Sequence, residues 1–337
     1  MSAPLRVAVV GCGDVSSVHF DAIAHDPLAE LVAVCDTDAG RREAASARYS
    51  VPGFASISEL IDAVHPDVVH ISTSHDQHAV LAIAALEAGV NVILEKPLAH
   101  TREAGDALVA AAEGSGAKIG ICFQNRYNTP VRAAKELLES GRLGKVVGAS
   151  GTVIWHRTRE YYEDRPWRGT WANGGGGLLM NQAIHTLDLL QWLLGDVQKV
   201  TGGAATRTLA GVIEVEDTAD LVLEHAGGAR STFFATLSNA VNDPVTIEIA
   251  AERGTLSLRG DLVATFADGT VETVTETVTA TGERAYWGAS HARLIHDFYE
   301  SLSRPEPFWI SPREARKTLE IIQSVYDQAY PGRHVVA

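Results

Sequence analysis

The chain has 337 residues, 46% of them hydrophobic and 21% charged, a composition typical of soluble globular protein with enough length for two separate cores. Its formal charge of -14 argues against nucleic acid and anionic membranes as partners, but not against an anionic small molecule held by a local arginine or lysine. Cys12, Cys35 and Cys122 form no CxxC pair and no disulfide framework, no apolar run reaches membrane-spanning length, and no signal-peptide pattern precedes the first strand. A cytoplasmic protein with reduced, buried thiols is expected.

In chain order, Leu5 to Val10 reads as a strand, Ser16 to His25 as a helix, and Leu31 to Cys35 as a second strand closed by Asp36. Helices are expected over 41–49 and 58–63, the latter starting at Ser58. A strand over 68–72 precedes an Ala- and Leu-rich helix over 78–88 that Gly89 caps. A strand over 90–94, a helix near 102–114 and a strand over 118–123 complete the alternation. Short apolar strands with intervening helices define an α/β, doubly wound parallel sheet over residues 1–123.

Composition changes after Gln124. A helix over 130–140 leads into strands at 146–156, 200–207, 218–224, 230–238, 245–250, 254–259, 262–266 and 271–277. Gly, Asp and Asn turns join many of them, which predicts a large, mostly antiparallel open sheet in an α+β domain spanning 124–311. A helix over 178–194 covers one face of that sheet, and the uncovered face predicts a homodimer or homotetramer. Helices over 291–303 and 312–330 close the chain, the last belonging to a segment, 312–337, of its own.

Gly11-x-Gly13-x-x-Ser16 follows a strand and opens a helix. Gly11 permits the tight turn, Gly13 lets a pyrophosphate approach the backbone, and Ser16 is small enough for close helix packing. Asp14 and Val15, in the turn before that helix, are assigned to cofactor binding. Asp36 lies about 20 residues on, where a carboxylate accepts from ribose hydroxyls and repels a 2'-phosphate. The cofactor expected is therefore NAD. Ser72 and Thr73, at the end of the third strand, should line its middle. His78 is a further candidate contact, with a local hydrogen bond as the alternative; Asp76 is read as a cap.

Val92-Ile93-Leu94-Glu95-Lys96-Pro97 ends a buried strand in two opposite charges. Proline at 97 keeps Lys96 extended at the strand's C-terminal tip, the edge where open parallel sheets bind ligands. Glu95 and Lys96 are assigned to the cofactor end, and Lys96 to proton transfer. Farther on, four glycines at 174–177 precede Asn181 and His185, four apart and so on one helical face; Asp188 is within reach of His185 or of another partner. Substrate contacts are expected from Arg126, Tyr127, Arg157, Trp167, Asn181 and His185, with aromatic faces for the apolar side of a sugar ring and polar groups for its hydroxyls. No cluster has metal-ligand spacing, so no metal is expected.

These motifs, in this order, resemble the glucose-fructose oxidoreductase and inositol dehydrogenase family over nearly the whole length. The resemblance implies an N-terminal Rossmann domain and a C-terminal sheet domain, a last helix returning toward the Rossmann domain, and oligomers joined through the open sheets. It also implies hydride transfer between NAD and a hydroxyl carbon of a sugar, sugar derivative or cyclitol. Lys96 matches the family lysine that touches substrate and cofactor, and His185 the histidine near the reacting hydroxyl. Asn181 stands where many members carry aspartate, so acid-base work falls to Lys96 and His185. The alternatives are an NADP-linked sugar or imine reductase, and a non-catalytic sugar or dinucleotide sensor.

Overall fold

The computed structural model describes residues 3–277 and 290–332. They divide into two compact units. The first holds the chain up to Gln124 and takes back the segment ending at Arg316; the second runs from Asn125 and resumes at Lys317.

The first unit carries strands β1 (Leu5–Val10), β2 (Ala29–Cys35), β3 (Gly53–Phe54), β4 (Val68–Ile71), β5 (Asn91–Leu94) and β6 (Ile119–Ile121). Helices α1 (Ser16–His25), α2 (Ala39–Tyr49), α3 (Ile57–Val64), α4 (His75–Glu87) and α5 (Arg102–Gly114) connect them. The strand order is β3-β2-β1-β4-β5-β6, and every pair is parallel. Sequence order reverses between β1 and β4, so the strands' C-terminal ends there form the switch point of a doubly wound sheet. Val7, Ala8, Val9, Val68, Val69, Val92, Ile93 and Leu94 are all inaccessible to water. Such continuous apolar runs fit strands covered on both faces.

Local signals misplace some boundaries. The cap of α3 is Ser56, whose side chain accepts from the Glu59 amide, rather than Ser58. The two-residue β3 is too short to carry a periodic signal.

The second unit begins with α6 (Thr129–Glu139) and an eight-stranded sheet. Its strands are β7 (Val146–Ile154), β8 (Val197–Ala205), β9 (Thr218–His225), β10 (Arg230–Thr236), β11 (Thr246–Ala251), β12 (Gly254–Arg259), β13 (Asp261–Phe266) and β14 (Val271–Val274), in the order β14-β13-β12-β11-β7-β10-β9-β8. One parallel pair, β7 with β10, sits within an otherwise antiparallel ladder. Leu221, Phe233, Ile249 and Leu262 point to a buried face, while Phe234 and Val263 on alternate positions stay 42% and 37% exposed.

Between β7 and β8 lie α7 (Arg159–Glu163), α8 (Trp171–Gly174), α9 (Leu178–Asn181) and α10 (Ile184–Leu194). The expected single helix over 178–194 is thus broken. The Ala183 amide reaches back to the Leu178 carbonyl, one residue farther than an α-helical bond, and Asn181 and His185 fall on opposite sides of that break.

Two helices end the chain. The first, α11 (Ser290–Ser301), packs on α1 in the first unit rather than with residues 124–311 as expected. Phe298 and Phe308 fill the space above Gly120, where an added Cβ would meet them at 2.8 and 2.7 Å. The last helix, α12 (Pro312–Ala329), starts in the first unit, where Arg316 pairs with Asp106 and Arg313 with Glu113. From Lys317 it belongs to the second, where Thr318 donates to Asp188 and Tyr326 to Glu216. Residues 333–337 of the expected last segment lie outside the described ones.

The glycine run has a steric origin. A Cβ on Gly177 would stand 2.1 Å from the Glu216 carbonyl oxygen, and Gly176 has φ +157 with Tyr326 pressed against it. Gly177→Ala is expected to destabilise the protein by about 3 kcal/mol or more, read as a lowered urea midpoint with an unchanged m-value.

Candidate active site

In the first unit the glycine turn is built against β4. Gly11 has φ +89, and a Cβ there would come within 2.6 Å of the Ser72 carbonyl oxygen. The Ser72 hydroxyl donates to the Gly11 carbonyl at 2.7 Å. Ser16, buried, donates to the Gly13 carbonyl at 2.6 Å and closes the first turn of α1. Gly13 has no atom within 4 Å of where its Cβ would be. Its lack of a side chain leaves room for a ligand rather than relieving a protein contact. Val15 is the N-cap of α1, no side chain caps that end, and its first turn holds no acidic residue. A helix start without a side-chain cap and open space above Gly13 fit a dinucleotide's pyrophosphate.

Asp36 accepts from the Cys12 amide at 2.8 Å and the Asp38 amide at 2.9 Å. One lone pair remains on each oxygen for ribose hydroxyls. Asp14, Val15 and Thr73 are half-buried around this turn. Burial, reinforced by Asp36, pushes the Cys12 thiol up to about 12, and burial likewise pushes Cys35 up to about 11. Neither is a nucleophile at neutral pH.

Lys96 follows β5 and precedes a cis peptide bond to Pro97. It alone escapes full burial between Val92 and Ala99. His78 is inaccessible to water, and its Nδ1 donates to the Pro97 carbonyl at 2.7 Å, so it holds the lysine turn to α4, the local hydrogen bond that was the alternative to a ligand contact. Burial is the main force keeping its imidazole neutral.

Glu95 is also buried and points away from Lys96's solvent side. Its Oε1 lies 3.1 Å from His19 Nε2 and 3.0 Å from His291 Nε2. Burial alone would push this carboxyl up, but the hydrogen bonds from His19 and His291 outweigh it and hold the group well below the usual carboxylate range. An ionised carboxylate only accepts, so both Nε2 atoms donate to it. The network continues through a 3.0 Å contact between His19 Nδ1 and His70 Nδ1 and a 2.8 Å contact between His70 Nε2 and the Tyr299 hydroxyl. Burial keeps His70 neutral. The Cys122 thiol is bonded to Glu95 as well, and burial raises it far out of the thiolate range. His19, Glu95 and Cys122 have ligand-type atoms within 4.8 Å of one another, a trio that no sequence spacing reveals and that these hydrogen bonds already engage.

In the second unit, every residue from Gly174 to Gln191 is buried except Asn181 and His185. Glu216, inaccessible to water, accepts from the Gly177 and Leu179 amides at 3.0 and 2.8 Å and from the Tyr326 hydroxyl at 2.7 Å. It thereby fixes the start of α9 just before Asn181. Arg126 departs from its expected role. Its side chain is fully buried, with Nε and Nη2 donating to the two Asp188 oxygens at 2.8 and 2.7 Å. Asp188 therefore pairs with Arg126 along α10. Tyr127 is buried beside it, under the Arg132 guanidinium. Arg157 and Trp167 remain half-buried on the stretch between β7 and α8.

Sheet order and the turn above Gly13 define a dinucleotide-binding type of fold. Residues 5–123 match the family model described as an oxidoreductase family with an NAD-binding Rossmann fold, and residues 131–257 match the GFO/IDH/MocA C-terminal domain. The chain belongs to the GFO/IDH/MocA oxidoreductase family, and its first unit is an NAD-binding domain. A D-apiose dehydrogenase of Paraburkholderia graminis is 28% identical over 97% of this chain and 88% of its own. An inositol 2-dehydrogenase of Saccharopolyspora erythraea is 29% identical over 75% and 73%. The WlbA dehydrogenase of Bordetella pertussis, solved with NADH and UDP-GlcNAcA, is 30% identical over 98% of both chains, with a TM-score of 0.84. Among the described residues no helix is long and apolar enough to cross a membrane.

Removing the Glu95 side chain orphans the two imidazole donors it accepts from. Glu95→Ala should cost about 3 kcal/mol in chemical denaturation. Because this carboxyl is lowered on folding, its contribution is complete above the unfolded carboxylate range and is lost as pH falls through the folded value. Wild-type stability should therefore fall more steeply below about pH 5 than that of Glu95→Gln, as measured by urea titrations across that range.

Proposed function

We propose that this protein is an NAD-dependent dehydrogenase that moves a hydride between the nicotinamide and a hydroxyl carbon of a sugar, sugar derivative or cyclitol. The observation that carries this reading is the pattern of exposure: Lys96, Asn181 and His185 are the polar groups left reaching outward from runs that are otherwise buried. A lysine, an asparagine and a histidine retained in that way are groups kept for a ligand. The relatives named for apiose and inositol support a polyhydroxylated substrate.

Bound NAD supplies the hydride acceptor. On the protein's side, Lys96 or His185, in its neutral form, takes the proton of the hydroxyl as the C–H bond breaks, and returns it in the reverse direction. Asn181 donates to and accepts from the substrate, orienting it without storing a proton.

Asp36 supports NAD over NADP, since its carboxylate would face a 2'-phosphate. The half-exposed Phe234 and Val263 on the outer face of the second sheet support a homodimer or homotetramer joined there. Light scattering should return a mass of at least two chains, and a monomer at micromolar concentration would remove that assignment.

Two measurements test the chemistry. Lys96→Ala should lower kcat by about 100- to 10,000-fold while NADH fluorescence titration shows binding retained; unchanged turnover rejects Lys96 as the acid-base group. Wild-type kcat/KM should favour NAD over NADP by about tenfold or more, and Asp36→Ala should shrink that ratio.

A further inference from the structure

Arg157 is set up differently from every other arginine near α9 and α10. Its Nη1 donates to the His156 carbonyl at 2.6 Å and to Asn242 Oδ1 at 3.1 Å. Its guanidinium carbon stands 5.2 Å from the ring centres of both Trp155 and Tyr161. Two aromatic faces and one fixed nitrogen hold the group in place. Yet no carboxylate among the described residues pairs with it, and none of their acceptors takes its Nε or Nη2 hydrogens. That Nε–Nη2 edge is the side of the fork that grips a carboxylate or phosphate through two parallel hydrogen bonds. In a chain of net charge -14, acidic partners are plentiful, and Arg126 has one.

Tyr161 links this arginine to the candidate site. Its hydroxyl accepts from Gln182 Nε2 at 3.1 Å, and Gln182 follows Asn181 directly. A second guanidinium, that of Arg168, lies 4.7 Å from the centre of the same ring. Two positive groups thus gather on one ring, one residue contact away from the Asn181–His185 segment.

We propose that the substrate carries an anionic substituent, a carboxylate or a phosphate, and that Arg157 binds it through its Nε–Nη2 edge, with Tyr161 setting the distance to Asn181. This rests on the dehydrogenase reading above and narrows its substrate class to acidic sugars and sugar phosphates. A site made to hydrogen-bond a charged group discriminates strongly against the analogue without it.

The test keeps binding and turnover separate. Glucuronate, hexose 1-phosphates and UDP-sugars are compared with neutral hexoses and inositols. Calorimetry on the NADH-loaded protein gives binding, and NADH formation gives turnover. The expected result is kcat/KM at least about 100-fold higher for one anionic series, the uronates if a carboxylate is read, the phosphorylated sugars if a phosphate is. In Arg157→Gln the ratio of anionic to neutral kcat/KM should collapse toward one, mainly through KM; Arg157→Lys should restore part of it. Neutral sugars turned over as well as anionic ones, with Arg157→Gln leaving the ratio unmoved, overturns the inference and leaves the dehydrogenase intact. Arg157-dependent binding of an anionic sugar without any NAD reduction upholds the inference and removes the dehydrogenase. Absence of anion binding to wild-type and variant alike, at millimolar concentration, overturns it outright.

Discussion

The first unit depends on a buried negative charge. Glu95 enters the interior from the end of β5 and is met by His19 from α1 and His291 from α11, whose positions in the chain lie far apart. An unpaired carboxylate in such a place would cost several kcal/mol, so the two imidazoles are a condition of the strand ending there at all. His70 from β4 and Tyr299 from α11 extend the network. Four elements are thus joined by hydrogen bonds at the strand end that carries Lys96. Apolar packing alone tolerates small slips, whereas a directional network does not.

The second unit repeats the arrangement with different parts. Glu216 takes two backbone amides at the entrance to α9 and the Tyr326 hydroxyl, and Arg126 with Asp188 forms a bidentate pair along α10. Between these fixed points sit Asn181 and His185. Burial works to raise Glu216's carboxyl, which marks how completely it has been removed from water. In each unit, then, the candidate residues are few and half-buried, and the groups beside them in the chain are charged and fully enclosed.

Much of this was legible in the sequence. Parallel strands announced themselves as unbroken apolar runs, and Gly11, Gly13 and Asp36 carried their reasons in their spacing. Asn181 and His185 stood out as polar interruptions of an apolar stretch. What stayed hidden were partnerships across long separations: nothing in the sequence local to Glu95 names His291, and nothing local to Arg126 names Asp188. Glu216 has no neighbourhood signature, since its bonds go to the backbone of a segment far behind it. The kink between α9 and α10 was also invisible, because no proline or glycine marks it between Leu178 and Leu194.

The return of α11 to the first unit has a consequence for how the molecule is made. Gly120 on β6 faces Phe298 and Phe308, and the Ile121 amide bonds to the Ile310 carbonyl at 3.0 Å. When the ribosome has released the six strands of the nucleotide sheet, its outer edge still lacks this cover, and Glu95 still lacks one of its two imidazoles. The sheet must wait, with an open edge, while the whole intervening unit is synthesised. The unit whose strands are synthesised before the second unit is therefore completed after it, with an edge open to other strands in the interval.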